Sequence, residues 1–223
     1  QTQQPVGRSN VVWLRGRHFG RQDLGASMSE LILRGGTVID GTGRPGEIAD
    51  VLVQDGVIAE IGNLNGRSAD REIDASDRVV SPGFIDVHTH MDAQIAWDPL
   101  GESSCFHGVT TAVMGNCGFT LAPVRSDERH LVVRNLERAE DISADAMAAG
   151  IDWSWETYPE YLDFVDRTPK GINYAGYVGH SAFRTWAMGE RAFDAESNED
   201  DRSGRVGQLR DAIEAHAKGS TTS

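Results

Sequence analysis

The 223-residue chain has two cysteines, Cys105 and Cys117, no apolar run approaching the length of a membrane span, and little positive charge. Two cysteines cannot build a disulfide framework, and their scarcity suits a reducing compartment, so a cytoplasmic protein is expected. Without about eighteen consecutive apolar residues, a membrane-spanning helix is excluded. Lys and Arg number 21 against 34 Asp and Glu, a net charge of −13. That balance repels phosphate backbones and anionic lipid, so neither nucleic acid nor a membrane surface is an expected partner. No Gly-rich turn leads into Lys-Ser or Lys-Thr, which removes a phosphate loop. No Gly-x-Ser-x-Gly elbow is present, which counts against a serine hydrolase. What remains is ordinary for a soluble globular protein: 39% hydrophobic and 25% charged residues.

The chain begins with Gln1 rather than Met, and residues 1–27 stand apart in charge. They carry Arg8, Arg15, Arg17 and Arg21 against Asp23 alone. Val11 to Leu14 is too short for the apolar core of a secretory signal, so 1–27 reads as a disordered leader. Met28 opens a second region, 28–80, of short β-strands with turn punctuation. Leu31-Ile32-Leu33 runs into Gly35-Gly36 and then Thr37-Val38-Ile39. Val51-Leu52-Val53 and Val57-Ile58-Ala59 flank Asp55-Gly56, a strong hairpin signal. Further strands are expected at 71–74 and 79–80.

Pro82-Gly83 breaks the pattern, and from 81 to 223 apolar runs alternate with helical stretches. Strands are expected at 84–90, 109–115 and 172–178, with a fourth starting at Gly219. Helices are expected over 131–149, 155–165 and 200–217. Alternating β and α units indicate a parallel sheet or barrel.

His88 and His90 lie two apart on the strand Phe84 to His90, so both side chains share one face. At the C-terminal end of a barrel strand that face looks into the active-site mouth. Two imidazoles there offer nitrogens to one divalent cation of the kind Zn²⁺ exemplifies. Cys117 follows the next apolar run inside Gly115-Asn116-Cys117-Gly118, where glycines allow a tight turn. A thiol beside a cation ionises and becomes a strong soft ligand.

These segments resemble the amidohydrolase superfamily, and within it the D-aminoacylase (N-acyl-D-amino-acid deacylase) branch. The resemblance is carried by LILRGGTVIDGTG, ADVLVQDGVIAEIG, VVSPGFIDVHTHMDAQ, HGVTTAVMGNCGFTLAP and NYAGYVGHSAFR. PGFIDVHTH marks the superfamily and GVTT…GNCG the branch. The resemblance implies an α/β architecture: a TIM-like (β/α)₈ metal-dependent barrel, here in part, preceded by a small β-sandwich module. It implies that His88, His90 and Cys117 bind one or two Zn²⁺ ions. It also implies two further histidine ligands from later barrel strands, and an aspartate acid/base expected beyond Ser223. The reaction implied is hydrolysis of a linear amide in a small-molecule N-acyl amino acid, giving a carboxylate and a D-amino acid.

The remaining histidines do not match those later ligands. His130 lies in a polar stretch, His216 in the last turn of the terminal helix, and His107 before Gly108 at a helix end. His180 ends a strand and begins Gly-His-x-x-x-Arg with Arg184. A contact with substrate, or support behind the ligands, is open to His180, Arg184, Asp92 and Asn116 alike. Cys105 reads as helix packing, and the aromatics Trp153, Trp155, Tyr158 and Tyr161 as core.

From Val80 to Ser223 there are 144 residues, whereas a whole barrel takes about 250. About half a barrel is therefore expected, lacking the later ligands and the acid/base and inactive by itself. Two other readings stand beside this one. The first is a hydantoinase or dihydroorotase type, against which Gly-Asn-Cys-Gly counts and for which Lys170 and Lys218 are poorly placed as bridging lysines. The second is a non-catalytic half-barrel that binds a partner through unpaired strand edges.

Overall fold

The structure, a computed structural model, describes Val11–Leu14, residues 30–140 and residues 142–222. The chain divides into two compact units that meet in sequence at Phe84/Ile85. The leader expected over 1–27 lies outside the described residues, apart from β1 (Val11–Leu14), which pairs in parallel with Val79–Pro82.

The first unit is one six-stranded sheet. Its centre is β2 (Leu31–Val38), antiparallel to β3 (Glu47–Gln54), which is antiparallel to β4 (Val57–Gly62). β5 (Arg71–Asp74) and β6 (Val79–Pro82) add in parallel to successive halves of β2. The two short runs expected around Gly35-Gly36 are therefore a single strand with a bulge between Leu33 and Gly36. Gly35 has φ +64°, and a Cβ on Gly36 would stand 2.6 Å from Val80 Cγ2, so the bulge needs small residues. Asp55 and Gly56, at φ +50° and +71°, make the expected two-residue hairpin turn.

Side chains alternate across this sheet, and each face finds its own cover. Leu33 and Val51 pack with Ala75 and Val80 on one side, while Ile32 and Leu52 pack with Leu64 on the other. The described strands form one sheet, and a second layer of the sandwich that the resemblance implies is not among them. Asp50 ties β3 to the bulge of β2 and to the segment after β4. Against the burial that would raise it, bonds from the Gly35 and Leu64 N–H groups and from Arg34 hold its carboxyl below the usual range.

The second unit is built on β7 (Phe84–Thr89), β8 (Val109–Met114) and β9 (Asn173–Gly176), hydrogen-bonded in that order. β8 and β9 are parallel. Just past Tyr177, β10 (Val178–Gly179) pairs in parallel with β11 (Ser220–Thr221). The four expected strands are all present, and among the described residues they close no barrel. Along β7, Ile85 and Val87 remain 62% and 58% exposed, as suits an edge strand without cover.

The helices depart from expectation at their ends for local reasons. The stretch 131–149 is two helices, α3 (Arg129–Glu140) and α4 (Ala144–Gly150), because Ser143 restarts the chain by accepting from the Ala146 N–H. α5 (Tyr158–Arg167) begins three residues later than Trp155. Thr157 and Glu160 form a reciprocal capping box there, and Pro159 occupies the first turn. Trp155 is left just ahead of the helix, buried at the centre of the core, with its indole N–H donating to the Leu121 carbonyl. Trp153, Tyr161 and Phe164 stand around it with centroids 4.8–5.6 Å away. Two one-turn helices, α1 (Met91–Gln94) and α2 (Glu102–Cys105), precede α3, and α6 (His180–Met188), a 3₁₀ turn (Gly189–Phe193) and α7 (Glu199–Glu214) follow α5, the last capped by Asn198 and Asp201. No described helix is long and apolar enough to cross a membrane.

Candidate metal centre

His88 and His90 stand at the end of β7, His90 in the position that opens the short helix α1 (Met91–Gln94). Their rings are 6.1 Å apart between centroids and tilted by 56°. Cys117 sits in the loop that leaves β8. One nitrogen from each histidine and the Cys117 Sγ all lie within 4.8 Å of one another, a spacing able to hold a metal ion. His88 is exposed, while His90 and Cys117 are half-buried. No other group of three His, Cys, Asp or Glu ligands converges among the described residues. The acid/base aspartate expected beyond Ser223 falls outside the described residues, as does Ser223 itself, and none of the described carboxylates joins the three ligands in its place.

The Cys117 loop is held from three sides. Asn116 donates its side-chain N–H to the Val87 carbonyl at 2.9 Å, and Thr89 donates to the Val113 carbonyl at 3.0 Å, which joins it to β7. The Ser181 backbone N–H and hydroxyl both donate to the Gly118 carbonyl, at 3.0 and 2.8 Å. The Thr221 hydroxyl donates to the Gly115 carbonyl. Gly115 is required at its position: φ is +74°, and a Cβ would stand 2.5 Å from both Thr120 Cγ2 and the Tyr177 carbonyl. Facing the sulfur, the Phe119 N–H points at Sγ from 3.4 Å, and Sγ lies 3.6 Å from the Phe119 carbonyl, so both backbone groups of that residue fix its position.

Asp92 is 1% exposed, so the direct substrate contact left open for it is not available. Burial pushes its carboxyl up to about 6, while the His90 imidazole and nearby backbone N–H groups pull the other way. Asn116 acts through its bond to β7, and its side chain is exposed. His180 accepts from Arg205 at 3.1 Å, and desolvation, then Arg205 and Arg184, lower its pKa. It is the first residue of α6, one position before the Ser181 that braces the loop. The Arg184 guanidinium donates to the Ala192 and Ala195 carbonyls, at 2.7 and 2.5 Å, fastening the turn after α6. His130 is 63% exposed opposite Glu190, and the His107 ring bonds to the Ser103 carbonyl. Lys170 reaches the Val165 and Asp166 carbonyls at the end of α5, which takes it out of contention as a bridging ligand.

Beside the histidines opens a cavity of about 420 Å³, lined by Asp86, His88, Thr89, His90, Met91, Gln94, Trp97, Ser104 and Ile142. Asp86 was legible in the sequence, since it precedes His88 by two on the same strand face. Trp97 and Ile142 carried no signal, because they reach the cavity from a turn and from the α3–α4 connection.

The fold and this cluster coincide with what is known of one class of protein. Residues 71–222 match the model of the amidohydrolase family, and the chain belongs to that family. A D-aminoacylase of Alcaligenes xylosoxydans xylosoxydans is 38% identical over 159 residues, covering 71% of this chain and 31% of that protein. A D-hydantoinase of Rhizobium radiobacter is 46% identical over 163 residues, covering 70% and 33%. Among solved structures, the N-acyl-D-glutamate deacylase of Bordetella bronchiseptica, complexed with zinc and a phosphonate mimic of the tetrahedral intermediate, aligns with a TM-score of 0.71. It is 32% identical, over 87% of this chain and 38% of that one. The chain thus spans about a third of the length of the relatives it matches.

Proposed function

We propose that this chain carries the histidine–cysteine corner of a zinc-dependent N-acyl-D-amino-acid deacylase, with His88, His90 and Cys117 as its ligands. The observation that carries the reading is the convergence of those three ligand atoms within 4.8 Å, from the end of β7 and the loop that leaves its neighbour β8. The donor chemistry fits: two imidazole nitrogens and a thiolate are a zinc set, and three protein ligands leave positions for water and substrate. When bound, the ion supplies Lewis-acid polarisation of the amide carbonyl and a water acidic enough to attack at neutral pH.

The protein's part is to aim the two imidazoles and the sulfur at one point. The Phe119 N–H points at the sulfur, and the bonds of Asn116, Ser181 and Thr221 fix the loop against its neighbours. Asp92 lies buried close enough to His90 for the two groups to interact electrostatically. Among the described residues no Lys or Arg lines the cavity, so nothing there grips a substrate carboxylate. The 223-residue chain alone is accordingly expected to retain the ion without turnover.

A second reading, hydrolysis of a cyclic amide, is favoured by the likeness to the D-hydantoinase. A hybrid separates the two. Residues 71–222 are placed in the matching stretch of the Alcaligenes D-aminoacylase, and the hybrid is assayed with zinc on N-acetyl-D-methionine, its L-enantiomer and a 5-substituted hydantoin. Release of D-methionine alone is expected. Opening of the hydantoin instead favours the second reading, and a folded hybrid that retains no metal overturns both.

A further inference from the structure

The Gly-His-x-x-x-Arg stretch supplies none of the three converging ligands, yet Gly179, His180 and Ser181 end β10 and open α6 directly against the Cys117 loop. Gly179 makes the closest approach. A Cβ there would stand 2.4 Å from the Gly118 carbonyl oxygen, 2.5 Å from its carbon and 2.8 Å from the Phe119 nitrogen. Only glycine therefore lets the strand end lie on that peptide. Its own N–H is moored on the buried Thr120 hydroxyl at 3.1 Å. Ser181 then donates twice to the Gly118 carbonyl, from its backbone N–H at 3.0 Å and from its hydroxyl at 2.8 Å. The other end of the same peptide group is the Phe119 N–H, 3.4 Å from Cys117 Sγ. His180, between the two, turns to α7: its Nε2 accepts from Arg205, which also donates to the Ser197 hydroxyl.

A peptide group is planar, and in the trans form its carbonyl and N–H point opposite ways. Two donors on the Gly118 oxygen thus fix the plane of the Gly118–Phe119 peptide, and with it the direction of the Phe119 N–H. A cysteine that holds a metal is deprotonated and can only accept. Of the two Phe119 backbone groups beside the sulfur, the N–H is then the one that serves it. Groups that orient a ligand from behind commonly change metal affinity by about 10–100-fold. Any residue at 181 except proline would keep the backbone donor, so the hydroxyl is what serine adds.

We propose that Ser181 is a positioning residue for Cys117, acting through the Gly118–Phe119 peptide to hold the Phe119 N–H on the sulfur. The proposal rests on the reading of Cys117 as a metal ligand. It gives the Gly-His-Ser turn a role behind the metal centre rather than against substrate.

The test uses the 223-residue chain loaded with Co²⁺ and reads its sulfur-to-cobalt charge-transfer band, beside zinc affinity from chelator competition. Ser181→Ala is expected to move the band to longer wavelength, because a thiolate with a weaker donor gives up its electron more easily. It should also weaken zinc about tenfold, with the far-ultraviolet circular dichroism unchanged. Ser181→Thr keeps the hydroxyl and should match wild type in both. Gly179→Ala reaches the same peptide by displacing it, should move the band the same way, and decides the matter if Ser181→Ala fails to fold. Thr185→Val is the comparison. Its hydroxyl bonds to the Ser181 and Ala182 carbonyls of its own helix, so the change disturbs α6 away from Gly118 and should leave the band in place.

A band that stays in place or moves to shorter wavelength in Ser181→Ala or Gly179→Ala would overturn the role of Ser181. So would a shift that Thr185→Val reproduces, or one that Ser181→Thr shares. No charge-transfer band in the wild-type chain would instead overturn the metal reading, and this proposal with it.

Discussion

Cys117→Ala is expected to lower zinc affinity at least about a hundredfold while leaving the far-ultraviolet circular dichroism unchanged. The sulfur is one of three converging donors and the only one that brings negative charge. Its loop is fixed by bonds from Asn116, Ser181 and Thr221, none of which uses the Cys117 side chain, so the fold has little reason to change. Equilibrium competition with a chromogenic chelator, read beside total zinc after desalting, measures the effect. Unchanged stoichiometry and affinity would remove Cys117 from the site. Cys105 is the internal control. It lies in α2 (Glu102–Cys105), with its thiol directed at the Glu102 carbonyl, and Cys105→Ala should leave zinc binding intact.

Trp155→Ala is expected to cost the second unit about 3–5 kcal/mol, a large share of the stability of an ordinary domain. Trp155 is 1% exposed and surrounded by Trp153, Tyr161 and Phe164. Its loss opens a cavity that these rings cannot fill, and it leaves the buried Leu121 carbonyl without its indole donor. Because Leu121 lies four residues past Cys117, metal affinity should fall together with stability. Urea unfolding followed by circular dichroism reads the first effect and chelator competition the second. A midpoint within experimental error of wild type would contradict the core described for this unit.

Much of the site was legible because its parts are local. His88 and His90 sit two apart on a strand, and the pleat alone puts them on one face. The glycines around Asn116-Cys117 announced a tight turn, and Gly115 adopts the positive φ they allow. The turn at Asp55-Gly56 was legible for the same reason. What escaped the sequence is settled by distant partners. Nothing in Gly-His-x-x-x-Arg tells that Arg184 turns to the carbonyls of Ala192 and Ala195 rather than toward substrate. The burial of Asp92 depends on residues far along the chain, including Tyr161, whose hydroxyl donates to the Asp92 carbonyl. Trp97 and Ile142 meet at the cavity only because α4 returns to pack on the turn after α1. In the first unit, short apolar runs announced strands. That Leu31–Val38 is one bulged strand follows from β5 and β6 pairing with its two halves, which periodicity does not reveal.

The central claim is that His88, His90 and Cys117 together hold one zinc ion. X-ray absorption at the zinc edge of the loaded 223-residue chain tests it most directly. The account predicts one sulfur at about 2.3 Å and at least two nitrogens at about 2.0–2.1 Å, with the sulfur shell lost in Cys117→Ala and retained in Cys105→Ala. A shell of nitrogen and oxygen only, or a sulfur shell that survives Cys117→Ala, would contradict it.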